Sequence, residues 1–176
     1  MKILFAYYST TGNTEKVAKA MCEGINGYEV DLLDIKNSDP KSLGLYDIAF
    51  LGSGIFAYNV SRKLTAFVKK IPELPPKLAY FYTHGTPQQN PYPDCFITVD
   101  QIKEKNNCEC IGSFDCCGEN LAEKAEEQRQ ALWSTMSSEE REKAKEDFLN
   151  LVKGHPDTQD LENAKKFAAS IINKLQ

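Results

Sequence analysis

An α/β fold, a parallel sheet with helices on both faces, is what this sequence predicts, and two observations carry the prediction. Five short apolar runs alternate with segments of helical spacing along the 176 residues. The first run is apolar almost without interruption, as a strand covered on both faces must be. Alternation of this kind implies right-handed crossovers between parallel strands, which put helices on both sides of the sheet.

The first strand is expected over Lys2 to Tyr8, and Val17, Ala18, Met21, Cys22 and Ile25 then share one helical face. Tyr28 to Asp34 reads as a second strand, less uniformly apolar and therefore expected near an edge. Ile48 to Gly52 is the third. Leu64, Phe67, Val68 and Ile71 give a short helix that Pro72, Pro75 and Pro76 stop. Leu78 to Thr83 is the fourth strand, Phe96 to Lys105 is compatible with a helix, and Cys108 to Phe114 is the fifth strand. Glu119 to Asp147 is heavily charged and reads as a solvated helical pair rather than a partner-binding hairpin. Within it, Ser137 and Glu140 have capping-box spacing. Leu161, Ala164, Phe167, Ala168, Ile171, Ile172 and Leu175 form the apolar stripe of a last helix. No internal repeat and no linker suggests a second domain.

Composition narrows the function classes. The chain is 41% hydrophobic and 26% charged, with 21 basic and 25 acidic residues for a formal net charge of -4. No basic block points to nucleic acid, and no polybasic patch points to an anionic membrane surface. Met1-Lys2-Ile3-Leu4-Phe5-Ala6 is too short an apolar run for a secretory leader, and no run of eighteen apolar residues follows. A cytoplasmic protein with six reduced cysteines is therefore expected.

In open parallel sheets, ligands bind beyond the carboxyl ends of the strands, at the switch in strand order. The loops after the first, third and fourth strands are the ones to inspect. The first reads Ser9-Thr10-Thr11-Gly12-Asn13-Thr14 and opens a helix. Unpaired N–H groups and the helix dipole favour an anion there, and Gly12 lets the chain approach it closely. Ser9, Thr11, Asn13 and Thr14 can add donors without adding charge. A Walker A loop would need Gly-Lys-Ser/Thr, but Lys16 is already inside the helix, and no two-glycine dinucleotide fingerprint is present. The loop is suited to one monoester phosphate; helix capping alone would use one or two of these residues, not five in six positions.

Tyr8-Ser9-Thr10-Thr11-Gly12-Asn13-Thr14 resembles the phosphate loop of flavodoxins, which binds the phosphate of FMN. Gly154-His155-Pro156-Asp157 is also similar to a branch of that family. The resemblance implies a single flavodoxin-like domain over residues 1–176 with strand order 2-1-3-4-5 and a charged helical insertion around 119–151. It implies a cofactor, FMN, held by Ser9 through Thr14 and by two further loops. In the second, Ser53-Gly54-Ile55-Phe56-Ala57-Tyr58, either Phe56 or Tyr58 would lie against the ring. In the third, Thr83-His84-Gly85 would offer backbone N–H groups to its pyrimidine end. The His84 side chain would stabilise the negative charge of reduced flavin or pass a proton to a substrate, or, on the favoured reading, sit on a surface loop with only its backbone used.

Two departures from the family pattern bear on redox behaviour. Many flavodoxins carry glycine after the stacking aromatic, where a peptide flips on half-reduction; here Ala57 follows Phe56 and would be disfavoured by about 1 kcal/mol or more at positive φ. Leu51 to Ser61 and Thr83 to Tyr92 hold no aspartate or glutamate, and Arg62 and Lys63 follow. The reduced, anionic flavin should then form more easily than in a typical flavodoxin.

Cys108, Cys110, Cys116 and Cys117 lack the two-residue gaps of common metal knuckles, so no metal site is expected. Cys116 or Cys117, taken to lie just past a strand end, is either a redox thiol at the flavin edge or a small buried hydrophobe. Trp133 reads as a packing anchor. The function implied is electron transfer through FMN between a donor reductase and an acceptor enzyme. The alternative is an FMN-dependent NAD(P)H reductase of quinones or other small acceptors, which needs a pocket over the ring; Pro87 to Phe96 could roof one.

Overall fold

The computed structural model describes residues 1–38, 46–86, 90–120, 127, 130, 131 and 133–175. Residues 87–89 of the suggested roof, and 121–126, 128, 129 and 132 of the charged stretch, lie outside the described residues.

Chain order sets the sheet. Strand β1 (Lys2–Tyr8) leads through helix α1 (Asn13–Glu23) to β2 (Glu29–Asp34), and β3 (Ile48–Phe56) turns back into the two-residue β4 (Asn59–Val60). Helix α2 (Arg62–Lys70), β5 (Lys77–His84), α3 (Ile97–Lys105), β6 (Glu109–Cys117), α4 (Ser138–Val152) and α5 (Thr158–Asn173) complete it. The parallel strands lie in the order β2-β1-β3-β5-β6. That is the expected 2-1-3-4-5 arrangement, because β4 only pairs antiparallel with the end of β3. The switch falls where β1 has β2 on one side and β3 on the other, so the ends of β1, β3 and β5 open on one edge.

Two apolar layers sandwich the sheet. One joins Leu4, Ala6, Leu51 and Leu78 to Leu64, Phe67 and Val68 of α2 and to Val99 of α3. The other joins Ile3, Phe5, Phe50 and Phe81 to Val17 and Met21 of α1 and to Ala164, Ala168, Ile171 and Ile172 of α5. β1 is buried at five consecutive residues, which explains its continuous apolar run, and β2 has no buried residue, as an edge strand allows.

Helix ends follow their sequence signals. Ser137 and Glu140 form the expected capping box at α4, and Asp157 with Asp160 forms another at α5. Helix α4 buries only Val152 of its own residues. Trp133 is buried and meets Phe148 edge-on at 5.9 Å.

Candidate functional site

The first loop carries an uncapped helix start. Gly12 occupies the N-cap position of α1 at φ 88, and no side chain caps the helix. Ordinary residues avoid that left-handed backbone, and a Cβ placed there would meet nothing within 4 Å, so glycine is required by torsion rather than by space. Ser9 Oγ accepts the Gly12 N–H at 3.0 Å, one residue ahead of the helix proper. The N–H groups of Asn13, Thr14 and Glu15 have no acceptor within the helix by its geometry. Thr10 and Thr11 are exposed at the rim.

The buried side chains of this loop bind neighbouring elements. Thr14 Oγ1 and Thr83 Oγ1 share a buried hydrogen bond of 2.8 Å, which ties α1 to the end of β5. Asn13 Nδ2 donates to the Glu119 carbonyl at 2.7 Å, fixing the chain that leaves β6. A cavity of about 330 Å³ beside the loop is lined by Thr11, Asn13, Lys16, Glu119, Gly154 and His155. Here Glu119 Oε2 accepts the Gly154 N–H, and His155 Nδ1 lies 2.6 Å from Asp160 Oδ2. His155, Asp157 and Asp160 bring three donor atoms within 4.8 Å of one another, but the two carboxylates already serve the capping box of α5.

The second segment is a β-hairpin rather than a loop. Ser53, Gly54, Ile55 and Phe56 belong to β3, because Ile55 and Phe56 pair with Val60 and Asn59. Ser53 is fully buried, and its hydroxyl accepts the Ser61 N–H at 3.0 Å, so its side chain secures the start of α2. The turn places Ala57 at φ 47 and Tyr58 at φ 68. Left-handed backbone at both central residues is the geometry of a two-residue hairpin turn, usually met with Asn-Gly. The positive φ considered for Ala57 is therefore its resting conformation. Phe56 is 44% and Tyr58 77% exposed, so neither is tucked into the core. The Phe56 ring lies 6.3 Å from that of Tyr8, at the rim of a cavity of about 600 Å³ that also touches Ala57, Arg62, Cys95 and Thr98.

At the third position the structure corrects the expectation. Thr83 and His84 are the last residues of β5, Gly85 directly after them is exposed, and the His84 side chain is 2% exposed rather than on a surface loop. Its Nε2 lies 3.1 Å from Asp115 Oδ2, and the same oxygen accepts the Asn90 N–H at 2.8 Å. The other ring nitrogen, Nδ1, is buried with no hydrogen-bond partner among the described residues. Tyr92 packs edge-on to His84 at 6.0 Å and to Tyr58 at 5.8 Å, linking the hairpin to β5.

Asp115 and Tyr92 were not found from sequence. Asp115 reaches the site because β6 pairs in register with β5, placing it opposite Tyr82. Leu51 to Ser61 and Thr83 to Tyr92 thus contain no acid of their own, yet one carboxylate arrives from the neighbouring strand. Cys116 and Cys117 are the final residues of β6, not beyond it, and both are buried. Burial raises the Cys116 thiol well above its ordinary range and pushes Cys117 up to about 11. Thiols so shifted are poor nucleophiles, which favours the small-hydrophobe reading.

The three segments converge on one edge: Thr14 meets Thr83, and a Cβ at Gly54 would lie 3.6 Å from the Phe56 ring and 3.9 Å from Thr14 Oγ1. A family model described as a flavodoxin domain matches residues 4–169. The chain belongs to the flavodoxin family. A flavodoxin-like domain-containing protein, BilS, from Clostridioides difficile is 29% identical across 99% of this chain and 98% of its own. The uncharacterized protein MJ0298 from Methanocaldococcus jannaschii is also 29% identical, across 98% and 99%. Among solved structures, oxidised flavodoxin 2 from Bacillus cereus superposes with a TM-score of 0.62 at 18% identity, covering 99% of each chain, a likeness of fold.

Proteins of the flavodoxin family bind flavin, and the residues of this chain fit one. An uncapped helix start with glycine in the left-handed conformation suits a phosphate. Exposed Phe56 and Tyr58 suit an aromatic ring, and the orphaned Nδ1 of His84 is a buried polar atom in want of a partner. Among the described residues, no helix is long and apolar enough to cross a membrane.

Proposed function

We propose that this flavodoxin-family chain binds one FMN non-covalently and carries electrons between a donor reductase and an acceptor enzyme. The observation that carries the FMN reading is the start of α1. Its hydroxyl-rich loop leaves the helix without a side-chain cap, and the first-turn N–H groups of Asn13, Thr14 and Glu15 are open to a phosphate dianion. No lysine stands in that loop, in keeping with one phosphate rather than a nucleotide triphosphate. When bound, FMN takes up one or two electrons and releases them.

The residues around it hold and shield. Thr14 and Thr83 lock the phosphate loop to β5 through their shared hydrogen bond. Phe56, on the turn strained at Ala57 and Tyr58, supplies a flat apolar surface with Tyr8 behind it. The Thr83–Gly85 backbone, anchored where the His84 carbonyl accepts the Gly118 N–H at 2.8 Å, offers donors on the opposite side. A site of this kind sits at a molecular edge, where electrons can pass to a docked protein.

The roughly 600 Å³ cavity beside the hairpin favours a second reading, an NAD(P)H-dependent reductase of a quinone or other small acceptor. One experiment separates them. The FMN-loaded protein is mixed anaerobically with NADH or NADPH and its 450 nm band is followed, then chemically reduced protein is mixed with a redox protein or a quinone. No bleaching by the nicotinamide, with rapid reoxidation by a redox protein, is the result expected of a carrier. Rapid bleaching followed by quinone turnover would establish the reductase instead.

A further inference from the structure

We infer that His84 is a redox-linked proton site: it takes up a proton at Nδ1 when the bound flavin is reduced, held ready by Asp115. The inference rests on the FMN reading above and assigns a role to a side chain that binding alone does not use.

The geometry has three parts. The His84 side chain is 2% exposed, at the carboxyl end of β5 between Thr83 and Gly85. Its Nε2 faces the Asp115 carboxylate at 3.1 Å, so the ring donates from Nε2 and the neutral tautomer leaves a lone pair on Nδ1. That Nδ1 is buried and has no hydrogen-bond partner among the described residues. A buried polar atom left without a partner is disfavoured, and such atoms in folded proteins have a reason.

The surroundings allow a cation there without supplying one. Asp115 on β6 is the only ionised group in contact with the ring among the described residues, and its Oδ2 is steadied by the Asn90 N–H. Tyr82, two residues back on β5, lies 5.7 Å from the imidazole, and Tyr92 lies 6.0 Å away. Both phenols are pushed above their ordinary range, chiefly by burial, so both stay neutral. Cys117, the β6 partner of His84 in register, has its thiol pushed up to about 11 and is neutral as well. The Asp115 carboxylate, 3.1 Å from Nε2, is placed to stabilise an imidazolium formed at Nδ1.

The balance is simple. Two electrons come from the donor, which is oxidised, and the flavin is reduced. One proton from solvent goes to the flavin, leaving one net negative charge on its ring. A second solvent proton goes to His84 Nδ1, forming an N–H bond and a positive charge that offsets it. Reduction then consumes two protons for two electrons where the flavin alone would consume one. The same charge compensation gives a physical basis for an easily formed reduced state in a site whose own segments carry no acid.

Two readouts test this on the FMN-loaded protein. The chain has only two histidines, so 15N-histidine NMR distinguishes His84 from His155 by assignment through His155→Gln. At fixed pH near neutrality, His84 ring signals should change from neutral to imidazolium on dithionite reduction, while those of His155 stay as they were. Spectroelectrochemical titration should show a two-electron potential falling with pH at the two-proton slope, halved in His84→Gln, with the proton-linked window moved to lower pH in Asp115→Asn. A His84 signal unchanged by reduction, or a slope in His84→Gln equal to that of the wild type, would overturn the inference. FMN titration of the apoprotein, done first, reports separately whether the cofactor reading itself holds.

Discussion

Replacing Ala57 with glycine tests the strained turn beside Phe56. Ala57 sits at φ 47 with its side chain exposed, so the substitution changes torsional energy and little packing. A residue with a Cβ is disfavoured in the left-handed region by about 1–2 kcal/mol, a penalty glycine does not carry. Glycine also gives the unfolded chain more freedom, which offsets about 0.4–1 kcal/mol of that relief. Ala57→Gly should therefore stabilise the apoprotein by about 0.5–1 kcal/mol, read as a higher urea midpoint at unchanged slope. At ordinary negative φ the same change destabilises by roughly 0.5–1 kcal/mol, so the sign alone reports the backbone. A lowered midpoint would refute the turn geometry.

Gly12→Ala should destabilise the apoprotein by about 1–2 kcal/mol through torsion alone, since its Cβ meets nothing, and weaken FMN binding about tenfold or more in a fluorescence titration. Thr83→Val leaves Thr14 Oγ1 buried without its partner and should lower stability by about 1–3 kcal/mol in urea unfolding. Gly52→Ala would put a Cβ 2.0 Å from the Phe81 ring and should destabilise by about 1–3 kcal/mol or prevent folding, read by thermal unfolding. Alkaline pH should also weaken the fold. Burial holds the thiols of Cys22 and Cys95, and the phenol of Tyr46, up to about 12. The unfolded chain ionises these groups first, so above roughly pH 9 it binds fewer protons than the native state and stability falls as pH rises. A urea midpoint that stays level from pH 8 to 10.5 would contradict this.

Much of the architecture was legible because it is written in local patterns. The unbroken apolar run of β1 and the long stripe of α5 each identify an element without knowledge of its neighbours, and the Ser137–Glu140 spacing marks a helix start. The hydroxyl-rich loop before α1 stood out as a candidate phosphate site for the same reason: its residues are contiguous. What escaped is what depends on pairing. Ser53 to Phe56 read as a loop because two glycines and a serine interrupt the apolar pattern, and only the hairpin with β4 extends the strand. Asp115 lies 31 residues from His84 and meets it through the β5–β6 register. The burial of His84 likewise follows from β5 continuing past Thr83 and from Tyr92 packing across it.

The most direct test of FMN binding at the α1 loop is titration of the apoprotein with FMN and, in parallel, with riboflavin, which has the same ring and no phosphate. Quenching of flavin fluorescence at one equivalent of FMN, with riboflavin bound far more weakly, is the expected result. Equal affinity for the two, or no quenching by FMN, would contradict a phosphate held at the start of α1.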